Sequence, residues 1–161
     1  MKKIYTLSSA FIFNATGEKV DAIASPASHK ELTASRNAFH FDFNALIRQF
    51  SVYKLQTLRD PTIQGLVAFR PEIGILECTN MEICHANKHG NPVYNGVGKA
   101  MVALCCKISV DQGMDGFIYF DAKNRLMPYY QRFGAKHMFG LRMIVESDAA
   151  RKLIDLYFKN D

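Results

Sequence analysis

The stretch NPVYNGVGKAMVALCCKIS, residues 91 to 109, decides how this chain reads. A turn carrying Gly96 and Gly98 runs straight into a segment where Val97, Met101, Leu104, Cys105 and Ile108 recur at helical spacing. That period predicts an amphipathic helix over residues 97 to 112, closed by Gly113. The first amides of a helix have no intrahelical partner and point outward at the positive end of its dipole. Glycines there admit close approach to the backbone and tolerate positive φ. The turn Tyr94, Asn95, Gly96, Val97, Gly98, Lys99 therefore reads as a cradle for an anion, and a diphosphate suits it. A tight helix entry holding no ligand is the competing reading. Two better-known phosphate motifs do not fit. Met101 stands where a dinucleotide fingerprint needs a third glycine, and Val93 and Ala100 break a Walker A loop.

Upstream, three apolar runs at residues 51 to 58, 63 to 70 and 73 to 83 are joined by the short links RDPT and PE, which predicts an antiparallel meander. Before them, AFIF and KVDAIA flank the turn NATGE as a hairpin. The opening residues faintly resemble an export leader, but Tyr5, Thr6, Ser8 and Ser9 interrupt the apolar run. Residues 29 to 39 and 42 to 50 read as two short helices, and residues 84 to 95 as a polar loop. Downstream come a strand at 116 to 122 and a short helix at 126 to 133 ended by Gly134. One strand follows at 136 to 146 with a bulge at Gly140, then a last helix capped by Ser147. The strand–helix–strand order from 73 to 120 implies one parallel pair. The fold class is α/β in the α+β sense: a mixed, mostly antiparallel central sheet with helices on both faces, as one domain over residues 1 to 161.

With 48% hydrophobic and 22% charged residues and no long apolar run, the composition is that of a folded domain without a membrane span. The formal charge of +5 is spread out, with no Lys/Arg block. It permits a polyanionic ligand without requiring one. Cys105 and Cys106 lie mid-helix and Cys78 in a strand, which fits buried reduced thiols and a cytoplasmic setting. Cys78, Cys84, His85 and His89 are metal-ligand types, but their spacing matches no metal site, so none is assigned.

The glycine-led helix, the strand after it and a short helix carrying YYQRFGA together resemble the GNAT superfamily of acyl-CoA-dependent N-acetyltransferases. The resemblance runs from about Val52 to Glu146. Its glycine signature, Arg/Gln-x-x-Gly-x-Gly/Ala, is met by Gly96 and Gly98. Its later aromatic-Tyr-x-x-x-Gly-Phe is met by Tyr129, Tyr130 and Gly134. Val93 stands in the Arg/Gln position and Ala135 in that of the final Phe, and the loop before the glycines is longer than usual.

What the resemblance implies is an enzyme that moves an acetyl group from acetyl-CoA to a primary amine by direct attack in a ternary complex. Strand 73 to 83 and strand 116 to 121 splay apart, and the pantetheine arm bonds the backbone in the gap. Tyr130 is the implied acid for the leaving thiolate, with Tyr129 the alternative phenol. Asn124 is placed to meet the pantetheine, an N-cap being the competing role. Lys99, Lys123 and Arg125 could meet phosphates.

For the base, Glu82 is the first candidate and Glu77 the second carboxylate, with His85 also open. The odd separation of the two glutamates puts them on opposite faces of a regular strand, and a bulge would alter that. The acceptor is a small-molecule or macromolecular amine. A nucleic-acid-borne acceptor and a homodimer stay open, as does a non-catalytic acyl-CoA-binding module of the same fold.

Overall fold

The computed structural model describes residues 3–88 and 90–159. Its nine strands form one sheet: β1 (Tyr5–Phe13), β2 (Glu18–Pro26), β3 (Ser51–Thr57), β4 (Gly65–Pro71), β5 (Leu76–Ile83), β6 (Tyr94–Asn95), β7 (Ile118–Asp121), β8 (Lys136–Phe139) and β9 (Arg142–Val145). The spatial order is β6-β1-β2-β3-β4-β5-β7-β9-β8. Every neighbouring pair is antiparallel except β5–β7. The hairpin, the meander and the parallel pair all form as the hydrophobic pattern requires.

Among the described residues five α-helices accompany the sheet: α1 (His29–Ala34), α2 (Phe43–Leu46), α3 (Val97–Asp111), α4 (Met127–Gln131) and α5 (Ser147–Tyr157). Two apolar clusters lie on the two sides of the sheet. On one side α3 and α5 cover Phe11, Leu55, Val67, Leu76, Ile118 and Val145. On the other, Leu32, Phe39 and Phe43 from the α1–α2 region cover Val52, Leu66 and Ala68. α3 is buried more completely than an amphipathic helix, because α5 packs beside it; Val102, Ala103 and Cys106 are inaccessible along with the expected face. Among the described residues no helix is long and apolar enough to cross a membrane.

Four local expectations are corrected. β5 starts at Leu76 rather than residue 73, since Gly74 turns at φ +75° and leaves Ile73 fully exposed. The loop at 84 to 95 holds a 3-10 turn, His85–Asn87, and ends in β6, whose Tyr94 and Asn95 pair with Phe13 and Ile12. Gly140, at φ +52°, is a turn between β8 and β9 rather than a bulge in one strand. Ser147 does not cap α5; Glu146 holds the cap position, and the Ser147 hydroxyl donates to Asp115 at 3.0 Å.

Candidate active site

The site lies where β5 and β7 part. Only Leu76 with Ile118 and Glu77 with Tyr119 are in register, while β5 runs on to Ile83. Beyond Glu77 the β7-facing peptide groups of β5 have no strand partner, and buried backbone groups need one. Just past the last pair, Phe120 of β7 carries the Tyr130 ring at 4.9 Å between centroids.

α3 starts beside this gap. β1 has an irregularity between Leu7 and Phe11, where Ser9 adopts φ +49° and its amide donates to Asp21 at 2.8 Å. The irregularity brings the Ala10 carbonyl against Gly96, which caps α3 at φ +92°. A Cβ on Gly96 would stand 3.0 Å from that carbonyl. Gly98 differs: a Cβ there would meet only the Tyr129 side chain, its hydroxyl at 3.6 Å and a ring carbon at 4.0 Å, both ordinary contacts. Gly96 is therefore demanded by the fold itself, whereas nothing in the packing demands Gly98.

Opposite stability effects are expected. Gly96→Ala forces a left-handed alanine, about 1–2 kcal/mol, and should lower Tm by several degrees. Gly98→Ala gains up to about 1 kcal/mol of helix propensity and should hold or raise it. Equal melting temperatures for the two variants would refute this reading of the turn.

The predicted cradle separates on inspection. Tyr94 is a core residue, its ring 5.9 Å from Phe11 and 5.4 Å from Phe13, and its amide donates to Asn87 at 2.8 Å. Asn95 turns its side chain to Asn14 at 2.9 Å. The Val97 side chain is buried. Gly96 is exposed, and Gly98 and Lys99 are partly exposed. The Tyr129 hydroxyl lies against the Gly98–Lys99 backbone; burial, the larger cause, pushes this phenol upward in pKa, and the Lys99 amide pulls the other way. Asn124 opens the 3-10 turn Asn124–Leu126 with its side chain exposed; Lys123, not Asn124, holds the N-cap position there. Val93 is exposed and fixed through its backbone to Ala86 and Asn14.

Tyr130 is half-buried among Phe120, Tyr129 and Phe133. Burial, with Tyr129 adding to it, pushes its phenol up to about 12. It is therefore protonated at neutral pH.

The two glutamates share a face after all. Ala68 pairs with Asn80 but Arg70 with Glu77, so β5 carries one extra residue between them. Such a bulge resets the alternation. Leu76 and Cys78 before it, and Met81 and Ile83 after it, all pack toward α3. Glu77 and Glu82 therefore both lie on the α1–α2 side, across the sheet from Tyr130. Neither carboxylate is idle. Glu77 accepts from Arg70 Nε at 2.8 Å and from the Thr79 hydroxyl at 2.8 Å. Glu82 accepts from the amides of His40 at 2.7 Å and Phe41 at 2.9 Å, and from Lys88 Nζ. Burial raises both carboxyls, but these donors outweigh it and hold them below the usual range. The bonds from residues 40 and 41 had no signal in the sequence, since they span about forty positions.

Asn87 fixes the loop between β5 and the glycine turn. Buried, it donates to Gln64 at 2.8 Å and receives the Tyr94 amide. His85 is exposed at the start of that loop. Cys78, Cys105 and Cys106 are free, buried thiols; burial first, and neighbouring Cys105 second, push Cys78 well up. His89 lies outside the described residues, and among those described no cluster of His, Cys, Asp or Glu could hold a metal ion. Two surface hollows, of about 220 Å3 at the ends of β2 and β3 and about 200 Å3 beside α5, do not border the gap.

No protein-family model matches the sequence, and no curated protein matches it. Solved structures do match in shape. The IAA acetyltransferase from Bacillus cereus superposes with a TM-score of 0.59 at 11% identity, over 78% of this chain and 99% of that one. A GNAT-family acetyltransferase from Listeria monocytogenes gives 0.55 at 11% identity, over 78% and 94%. The PaiA N-acetyltransferase from Thermoplasma acidophilum, solved with coenzyme A, gives 0.56 at 12% identity, over 76% and 96%. At such identities the shared property is the fold.

Proposed function

Because the chain has the GNAT fold, we propose that it transfers an acetyl group from acetyl-CoA to a primary amine. One conjunction of features supports this reading: a gap between β5 and β7 that leaves peptide groups without a strand partner, beside a helix start where Gly98 puts no side chain over the backbone and only the Tyr129 ring lies near. The residues fit the group. The amides of Val97, Gly98 and Lys99 would hold its diphosphate, which replaces the Tyr129 phenol on Lys99. The backbone of β5 beyond Glu77 would hold the pantetheine amides, with Asn124, Lys99, Lys123 and Arg125 near its polar end. Bound there, acetyl-CoA supplies an acyl group activated for attack by an amine, with a thiol as leaving group.

The chain's own part is orientation and proton handling. Amine and thioester are held in one site, which removes the entropy cost of their meeting. Tyr130 gives its phenolic proton to the departing sulfur and regains one from solvent. Glu77 and Glu82 keep their charge on the opposite face, engaged with their donors. The amine therefore loses its proton to water or to an exposed group such as His85.

The test is a thermal melt with and without acetyl-CoA, followed by free-thiol release across a mixed amine panel. Acetyl-CoA at about a hundred times Kd should stabilise the fold by about 2.7 kcal/mol, a shift of several degrees. No shift would sink the reading. A shift without amine-dependent thiol release would make the chain a non-catalytic acyl-CoA-binding module.

A further inference from the structure

Among the described residues Glu82 is the one buried carboxylate. It is 5% exposed, yet its two oxygens accept three donors, two of them from a segment about forty positions away in sequence and one from the loop just after β5. Oε2 takes the His40 amide and Lys88 Nζ, and Oε1 takes the Phe41 amide. Its strand partner is Leu66, one of the residues that Phe39 and Phe43 cover. The peptide between those two buried anchors is thereby drawn onto the end of β5. His40 and Phe41 are left outside, exposed, with their rings 5.4 Å apart in an edge-on contact.

We infer that Glu82 is a positioning residue: by pinning the His40–Phe41 backbone and Lys88 to the end of β5, it builds the lip over which the amine acceptor enters. The acceptor half of this inference rests on the acetyltransferase reading; the clamp does not. Three features support it. The lip sits on the face of β5 opposite Tyr130, so donor chemistry and acceptor entry lie on opposite sides of the gap. Three of the roughly four acceptor sites of the Glu82 carboxylate are taken by these donors, which leaves at most one, on Oε1, for an incoming amine. Removing it would strand two backbone donors and an ammonium in a part-buried corner, which couples the lip's order to this one side chain.

Glu82→Gln is the test, read first by amide hydrogen exchange. Gln keeps the shape but turns one acceptor into a donor facing Lys88. The His40 and Phe41 amides should exchange at least tenfold faster, with α3 amides unchanged. Lys88→Met leaves both amide bonds in place and should quicken exchange only a few-fold. The Kd for coenzyme A should stay within twofold of wild type in both variants. With the best-turned-over amine of the panel, Glu82→Gln should raise the amine KM about tenfold and leave kcat and its pH profile intact. Unchanged exchange at His40 and Phe41 overturns the clamp. Faster exchange with an unchanged amine KM overturns the lip. Loss of kcat together with the acidic limb of the pH profile overturns both in favour of Glu82 as the base. Failure of the wild type to bind coenzyme A would remove the acetyltransferase reading and the acceptor half with it, and exchange alone would still judge the clamp.

Discussion

Gly98→Glu is expected to weaken coenzyme A binding more than a hundredfold while the protein melts at or above its wild-type temperature. The two effects separate because of where Gly98 sits. A Cβ there has ordinary clearance, 3.6 Å from the Tyr129 hydroxyl, and the backbone is not left-handed. A carboxylate in the first turn of α3 is also favoured by the helix dipole. The same carboxylate fills the ground over the outward amides and repels a diphosphate. Amide bonds to a charged group contribute about 1.5–3 kcal/mol each, so losing two exceeds two decades in Kd. Isothermal titration with coenzyme A, alongside a melt, reads both numbers. Retained affinity would mean that the diphosphate does not use this turn.

Tyr130→Phe should lower kcat about a hundredfold, within the usual worth of a general acid, with the KM for acetyl-CoA little changed. Its pH behaviour follows from its surroundings. Burial pushes the phenol up to about 12, and a donor must be protonated to act. Below about pH 11 it stays protonated, so Tyr130 should impose no falling limb on the wild-type rate between pH 7 and 10. Tyr129→Phe is the control: it removes a phenol from the Lys99 amide, not from the sulfur, and should leave kcat within a few-fold. Full activity of Tyr130→Phe, or a hundredfold loss in Tyr129→Phe, would move the acid to the other ring.

Much of this architecture was legible because it is local. The 3.6-residue period of Val97, Met101, Leu104 and Ile108 gave away α3, and the short links between apolar runs gave away the meander. The parallel pair followed from a helix lying between two strands. What escaped depends on contacts between distant segments. A two-residue strand such as Tyr94–Asn95 has no periodicity of its own and exists only because β1 is there to pair with it. Gly140 fits a bulge as well as a turn until the pairing of Lys136 with Ile144 folds the strand back. Glu77 and Glu82 changed relative face because β5 gained one residue against β4. The site divides in the same way. Gly96, Gly98 and Tyr130 could be picked out by motif, but the hold of His40 and Phe41 on Glu82 could not, nor could the Tyr129 phenol resting on Lys99.

The most direct measurement of the central claim is a crystal structure with coenzyme A bound. The diphosphate should lie on the amides of residues 97 to 99 with the Tyr129 phenol displaced, and the pantetheine should bond β5 beyond Glu77. Coenzyme A bound elsewhere, or Tyr129 still closing the corner with the β5–β7 gap empty, would contradict it.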